Sequence, residues 1–151
     1  MNWTVRILSL SLLTLALTAC SPGPKSASGF RLPDGDAETG KQVFIEMQCH
    51  ACHTVKGVAL PAAQETGKAQ FALGGEVTRV KTYGHLVTSV INPSHKLAPG
   101  FPRNEQTLAE GSPMRVYNDV MTVQQLVDLV AFLQSTYEVV APEHNYHSYP
   151  M

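Results

Sequence analysis

The feature that most constrains this chain is one short run of two cysteines and a histidine, Cys49-His50-Ala51-Cys52-His53. Two thiols three positions apart on one turn can each add to a vinyl group of a haem and form a thioether. The imidazole of His53 then lies beneath the iron as the proximal axial ligand. The motif predicts one covalently bound haem with its iron, and it leaves His50 as a filler residue.

Two other uses of such a cysteine pair fit the sequence less well. A zinc site needs about four ligands, and the chain has no second C-x-x-C and no histidine pair at zinc spacing. A redox-active C-x-x-C is expected near a βαβ pattern, and none precedes this one. Three cysteines are also too few to staple a small disulfide-rich domain.

Length and charge limit the remaining possibilities. A chain of 151 residues suits one small domain with appendages rather than two domains. Its formal net charge of −1 provides no strong basic field for nucleic acid. We therefore expect no nucleic-acid partner.

The N-terminus carries an export pattern. A single Arg6 precedes an apolar stretch at residues 7–17, about the length of a signal-peptide core and too short for a comfortable membrane span. The stretch ends in Leu17-Thr18-Ala19-Cys20, which resembles the lipobox of bacterial lipoproteins. That resemblance implies that residues 1–19 are a signal peptide and that Cys20 is lipidated. An ordinary signal peptide and a membrane-anchor helix are the alternatives.

The next segment is rich in proline, glycine and serine and cannot build a core. Residues 20–33 are therefore interpreted as a lipidated N-terminus with a flexible linker. Ser21 stands where an aspartate would signal inner-membrane retention in bacterial lipoproteins. The resemblance implies an exported protein, anchored by lipid on the periplasmic side, with the outer membrane favoured over the inner.

Two amphipathic helices flank the C-x-x-C-H motif. Residues 36–48 contain no proline, Asp36 or Asp34 could cap their start, and apolar side chains follow a helical stripe at Val43, Phe44 and Met47. Near the other end, Thr122-Val123-Gln124-Gln125 forms a capping box. Helical spacing then continues through Leu126, Leu129, Val130, Leu133 and Tyr137.

These helices resemble those of class I cytochrome c. In that family an N-terminal helix with a Gly-x-x-x-aromatic face crosses a C-terminal helix with a Leu-x-x-aromatic face, and Gly40/Phe44 and Leu129/Phe132 match these positions. The resemblance covers about residues 36–137. It implies an all-α fold of three to five helices, with long loops around one covalent haem c.

The same resemblance divides the chain and suggests a distal ligand. A cytochrome c domain is expected at residues 34–140, followed by a C-terminal tail at 141–151. The segment Ser112-Pro113-Met114-Arg115-Val116-Tyr117 resembles the family's methionine-ligand loop, which implies Met114 as the second axial ligand. Met121, where the family usually has leucine, is its main rival; His85 and His95 are weaker candidates.

Two further segments bear on the haem pocket. Leu73, Gly75 and Arg79 match a family segment whose arginine lies near a haem propionate, so the resemblance implies Arg79 as a propionate contact. Gln70-Phe71 departs from the family's Gly-Pro, whose proline carbonyl accepts a hydrogen bond from the proximal histidine. The resemblance therefore leaves open what orients His53.

The function that the resemblance implies is electron transfer. The iron would cycle between ferric and ferrous states, with a protein donor, a protein acceptor, no small-molecule substrate and no enzymatic activity. Two alternatives remain. The chain could be the cytochrome subunit of a periplasmic oxidoreductase, or a haem-based sensor or enzyme with an open sixth site.

Overall fold

A computed structural model describes residues 30–64, 70–98, 101, 104 and 109–141. The predicted signal peptide, the lipidation site Cys20 and all but the first residue of the predicted C-terminal tail lie outside the described residues. The described residues from Pro33 onward belong to one compact unit. None of the helices within the described ranges is both long enough and apolar enough to span a membrane.

Within the described ranges, three complete α-helices carry the fold: α1 at Ala37–Glu46, α2 at Tyr83–Ile91 and α3 at Val123–Ser135. Short 3₁₀ turns follow the first two, at Cys49–Ala51 and Pro93–His95. Loops make up most of the remaining described residues. The prediction of three to five helices with long loops agrees with this arrangement.

Local capping explains where α1 begins. Asp36 is its N-cap, and the carboxylate accepts a hydrogen bond of 2.7 Å from the Thr39 amide, one of the amides that a helix start leaves unpaired. Of the two predicted caps, Asp36 is therefore the one used. The helix ends at Glu46 with Met47 as its C-cap, and Gln48 then adopts a left-handed conformation with φ of 57°.

The capping box at the start of α3 is confirmed. The Thr122 hydroxyl accepts from the Gln125 amide at 3.2 Å, and the Gln125 side chain accepts from the Thr122 amide at 2.9 Å. The prediction that Tyr137 continues this helix is wrong. The Thr136 hydroxyl donates to the Leu133 carbonyl at the helix end, and the chain then extends as a strand from Tyr137.

The core is built where α1 crosses α3. Gly40 presents bare backbone to α3, so that a Cβ built there would overlap the Asp128 carbonyl and lie 2.8 Å from the Phe132 Cβ. One turn later, the Phe44 ring meets the Phe132 ring edge-on, with centroids 5.7 Å apart. Leu129 is 2% exposed. The predicted Gly40/Phe44 and Leu129/Phe132 faces therefore do pack together.

Two parallel strand pairs complete the fold, and neither was predicted. Strand β1 (His53–Val55) pairs with β2 (Phe71–Leu73), with His53 opposite Phe71. Strand β3 (Gly75–Val77) pairs with β4 (Tyr137–Val139). The β1–β2 pair fixes the chain at the end of the C-x-x-C-H motif, and the β3–β4 pair fixes the chain that follows α3.

Candidate haem-binding site

The two cysteines of the motif lie on one turn of chain. The chain forms a 3₁₀ turn at Cys49–Ala51, closed by the Cys52 amide donating to the Cys49 carbonyl at 3.2 Å. Both thiols are half-buried, and no disulfide joins them. Two free thiols one turn apart are what attachment to two vinyl groups of one haem requires.

Burial affects the chemistry of the first thiol. It raises the pKa of Cys49 to about 11, because the charged thiolate would lose solvation. The reactive cysteine of a redox-active C-x-x-C motif has a lowered pKa, so the raised pKa of Cys49 disfavours the redox interpretation. In the described part of the chain, no group of three or more histidine, cysteine or acidic side chains is placed to bind a metal ion.

The environment of His53 favours the neutral form of its imidazole. Burial lowers its pKa, and the backbone of Phe71 acts in the opposite direction with the smaller effect. The neutral form is the one that binds metals. Its Nδ1 atom is buried without a hydrogen-bond partner among the described residues, and the Phe71 ring lies beside it with centroids 6.0 Å apart. The donor set fits a covalently attached haem.

The β1–β2 pair explains how the chain at His53 is held. The Phe71 amide donates to the Cys52 carbonyl at 2.8 Å, and the Gln70 side chain donates to the Ala51 carbonyl at 2.7 Å. A proline at position 71 would have no N–H to donate. Replacement of the family's Gly-Pro by Gln70-Phe71 therefore adds two hydrogen bonds to the attachment turn.

The predicted distal residue Met114 lies half-buried in the loop before α3. Its amide donates to the Ser112 hydroxyl at 3.2 Å. Met121, immediately before the Thr122 cap, lines a small apolar cavity with Val90 and Leu126. The two methionines thus have different environments: Met114 lies in a loop, and Met121 lies beside α2 and α3.

Tyr117 links the methionine loop (residues 112–117) to the attachment segment, the chain that runs from Met47 into the C-x-x-C-H motif. Its hydroxyl donates to the Met47 carbonyl at 3.1 Å, two residues before the first cysteine of the motif. Burial is the main cause that raises the pKa of Tyr117, and the nearby Cys49 thiol adds to it. Sequence reasoning placed Tyr117 in the loop but assigned it no role.

The other predicted candidates are exposed. His85 lies in the first turn of α2 and His95 in the following 3₁₀ turn. Arg79 is exposed in the loop between β3 and α2. The hydrogen bond that joins the methionine loop to the segment just before the attachment turn comes from Tyr117 and involves none of these three side chains.

Sequence reasoning missed a buried carboxylate that holds α1 against α3. Asp128 is 4% exposed and accepts two hydrogen bonds of 2.9 Å, from the Asp36 amide and from the Gln124 side chain. It therefore lies beside the N-terminus of α1, where the helix dipole favours negative charge. The only sequence signal was the i, i+4 spacing of Gln124 and Asp128.

Comparison with known families agrees with the geometry. The family model for cytochrome c matches residues 37–137, from the start of α1 to the start of β4. The chain matches no curated protein and no solved structure at a significant level. The matched region contains the attachment motif, both flanking helices and the methionine loop. The chain therefore belongs to the cytochrome c family, as a class I c-type cytochrome with one covalently bound haem c.

Proposed function

We propose that this protein carries single electrons between redox proteins on the periplasmic side of a bacterial membrane. Electron transfer follows from membership of the cytochrome c family; the location and the partners are the proposal. The observation that carries it is the attachment turn, where two free thiols lie on one 3₁₀ turn shortly before His53, whose pKa is lowered by burial.

The residues that would hold the haem follow from this turn. The S–H groups of Cys49 and Cys52 add across the two vinyl double bonds, so that two thioethers retain the group permanently. His53 serves as one axial ligand, and the β1–β2 pair keeps its backbone in place. The bound haem supplies an iron that alternates between the ferric and ferrous states.

Met114 is proposed as the second axial ligand. It lies in a loop of the family's methionine-ligand type, whereas Met121 lines a cavity beside α2 and α3 together with Val90 and Leu126. A thioether favours ferrous iron and therefore raises the reduction potential. Arg79, exposed in the loop after β3, is proposed to pair with a haem propionate.

The distal ligand is tested by spectroscopy of the purified protein. If Met114 binds the iron, the oxidised protein should show the weak near-infrared band of sulfur-to-ferric charge transfer, and the reduced protein should resist carbon monoxide. Met114→Ala should abolish the band and admit carbon monoxide. The control Met121→Ala should keep the band and lose only stability. Rapid carbon monoxide binding by the wild type would favour the sensor alternative instead.

Covalent attachment has its own test. After denaturation in acid, the haem should stay with the polypeptide, because thioethers survive unfolding. The double variant Cys49→Ala, Cys52→Ala should give no haem-stained band on a denaturing gel. Haem that is freely extracted from the wild type would contradict the assignment of these two cysteines.

We also propose a lipid anchor at Cys20, supported by the lipobox-like residues 17–20. Acyl chains contribute about 0.8 kcal/mol per buried methylene, so several chains hold a protein firmly at a membrane. The mature protein should begin at Cys20, carry lipid and sediment with membranes, and Cys20→Ala should release it or leave it unprocessed. A mature mass without lipid would refute the anchor.

Purification of the native protein addresses its partners. A carrier should be isolated without a stoichiometric catalytic chain and should exchange electrons with separate donor and acceptor proteins. Constant co-purification with one catalytic chain would instead identify it as the cytochrome subunit of an oxidoreductase.

A further inference from the structure

Tyr117 connects two parts of the site that are far apart in sequence. It lies three residues after Met114, and its hydroxyl donates to the carbonyl of Met47 at 3.1 Å, across 70 positions of the chain. Met47 is the C-cap of α1, two residues before Cys49. The bond therefore joins the methionine loop directly to the segment that carries the attachment motif, and it is partly buried.

The tyrosine is itself held in place. Its backbone carbonyl accepts hydrogen bonds from the Val120 amide at 3.0 Å and the Met121 amide at 2.9 Å, which form the turn leading into α3. The Arg115 guanidinium lies over the ring, 5.4 Å from its centroid. With its backbone and ring both restrained, the phenol loses little further freedom when it binds the Met47 carbonyl.

Two more hydrogen bonds join this loop and Asn118, the residue after it, to the end of α2. The Ser112 amide donates to the Ser94 hydroxyl at 3.1 Å, and the Asn118 side chain donates to the Ile91 carbonyl at 3.0 Å. Both are exposed to water, so each contributes less than the partly buried Tyr117 bond. Met114 lies between these fixed points, and the Tyr117 bond is the one that reaches the attachment segment.

From this geometry we propose that Tyr117 is a positioning residue that keeps the Met114 thioether on the iron by tethering the methionine loop to the carbonyl of Met47. The inference rests on Met114 as the distal ligand. An external ligand can bind only after the loop has opened, and opening breaks the tether. The hydroxyl of Tyr117 therefore slows exchange of the distal ligand.

The test is the rate at which imidazole displaces the distal ligand from the oxidised protein. At saturating imidazole this rate reports loop opening. Tyr117→Phe removes only the hydroxyl and should raise the rate about fivefold, the factor that corresponds to one ordinary hydrogen bond. The matched control is Tyr83→Phe, because the Tyr83 hydroxyl is buried without a hydrogen-bond partner among the described residues. Its rate should equal that of the wild type.

A second control separates positioning from general stability. Asp36→Ala removes the α1 cap and lowers stability without touching the methionine loop, so its rate should also stay at the wild-type value. The tether would be refuted if Tyr117→Phe and the wild type exchanged the distal ligand at equal rates. It would also be refuted if Asp36→Ala raised this rate as much as Tyr117→Phe does. A near-infrared band that survives Met114→Ala would instead refute the ligand assignment, and this inference with it.

Discussion

Replacing Gly40 with alanine measures how closely α1 approaches α3. The added methyl group would overlap the backbone carbonyl of Asp128 and lie 2.8 Å from the Phe132 Cβ, where ordinary contact begins at 3.4 Å. The Phe132 contact alone requires a movement of 3.4 − 2.8 = 0.6 Å, and the carbonyl requires more. A backbone carbonyl cannot move aside like a flexible side chain, so the two helices must separate.

The expected cost follows from that separation. A gap of about 0.5–1 Å forfeits a quarter to a half of each dispersion contact, and the contacts affected include those of Phe44 and Leu129, which are 1% and 2% exposed. Overpacking of this kind costs about 3 kcal/mol. Alanine regains about 1 kcal/mol through its higher helix propensity. The net loss in free energy of unfolding should therefore be about 2 kcal/mol.

Thermal unfolding of the haem-loaded protein measures this loss. A domain of this size loses about 4 °C in Tm per kcal/mol, so Gly40→Ala should lower the Tm by about 8 °C. The control is Gly84→Ala in α2, where a Cβ would meet nothing within 4 Å. This variant should keep or slightly raise the Tm, because only helix propensity changes. A Gly40→Ala protein as stable as Gly84→Ala would refute the close crossing.

Three further predictions concern polar contacts. Asp128→Ala should lower the free energy of unfolding by about 2 kcal/mol in urea titration, because the partly buried bond from the Asp36 amide to a carboxylate is lost; Asp128→Asn, which retains an oxygen, should lose less. The hydrogen bond from the Thr39 amide lowers the pKa of Asp36 from its ordinary value of 3.8. The ionised Asp36 carboxylate therefore contributes its full stabilisation above that pH, and this contribution is lost as the pH falls through the lower pKa of the folded state. Asp36→Asn should remove this part of the acid dependence of Tm. Phe71→Pro should cost about 1 kcal/mol or more, because the Cys52 carbonyl loses its donor; an unchanged urea midpoint would contradict the role given to β2.

The features that sequence predicted are those with local causes. Asp36 caps α1 through an amide three residues away, and the Thr122 capping box is complete within four residues. The attachment turn is defined within five residues at Cys49–His53. Each of these depends on neighbours along the chain, so composition and spacing carry the necessary information. The packing of the Gly40/Phe44 face on α3 joins segments that are distant in sequence, and the family resemblance identified it.

The strand pairs could not be predicted in the same way. Each strand is three residues long, too short for an alternating pattern, and β3 pairs with a segment that helical periodicity assigned to α3. Whether Tyr137 continues the helix or begins a strand depends on a backbone partner in β3, about sixty residues earlier in the sequence. The hydrogen bond that Phe71 gives to the Cys52 carbonyl comes from its backbone N–H rather than from its side chain, so residue type says little about it.

The helix crossing and the two ligand-bearing segments are linked by the order of the chain. The attachment turn begins two residues after Met47, the C-cap of α1, and the methionine loop leads into the Thr122 cap of α3. Gly40 and the buried Asp128 fix how α1 lies on α3. The crossing therefore sets the starting points of both segments, and shorter polar contacts finish the positioning: Phe71 beside His53, and Tyr117 beside Met47. Binding groups carried on loops are held accurately only when such supporting contacts lock them.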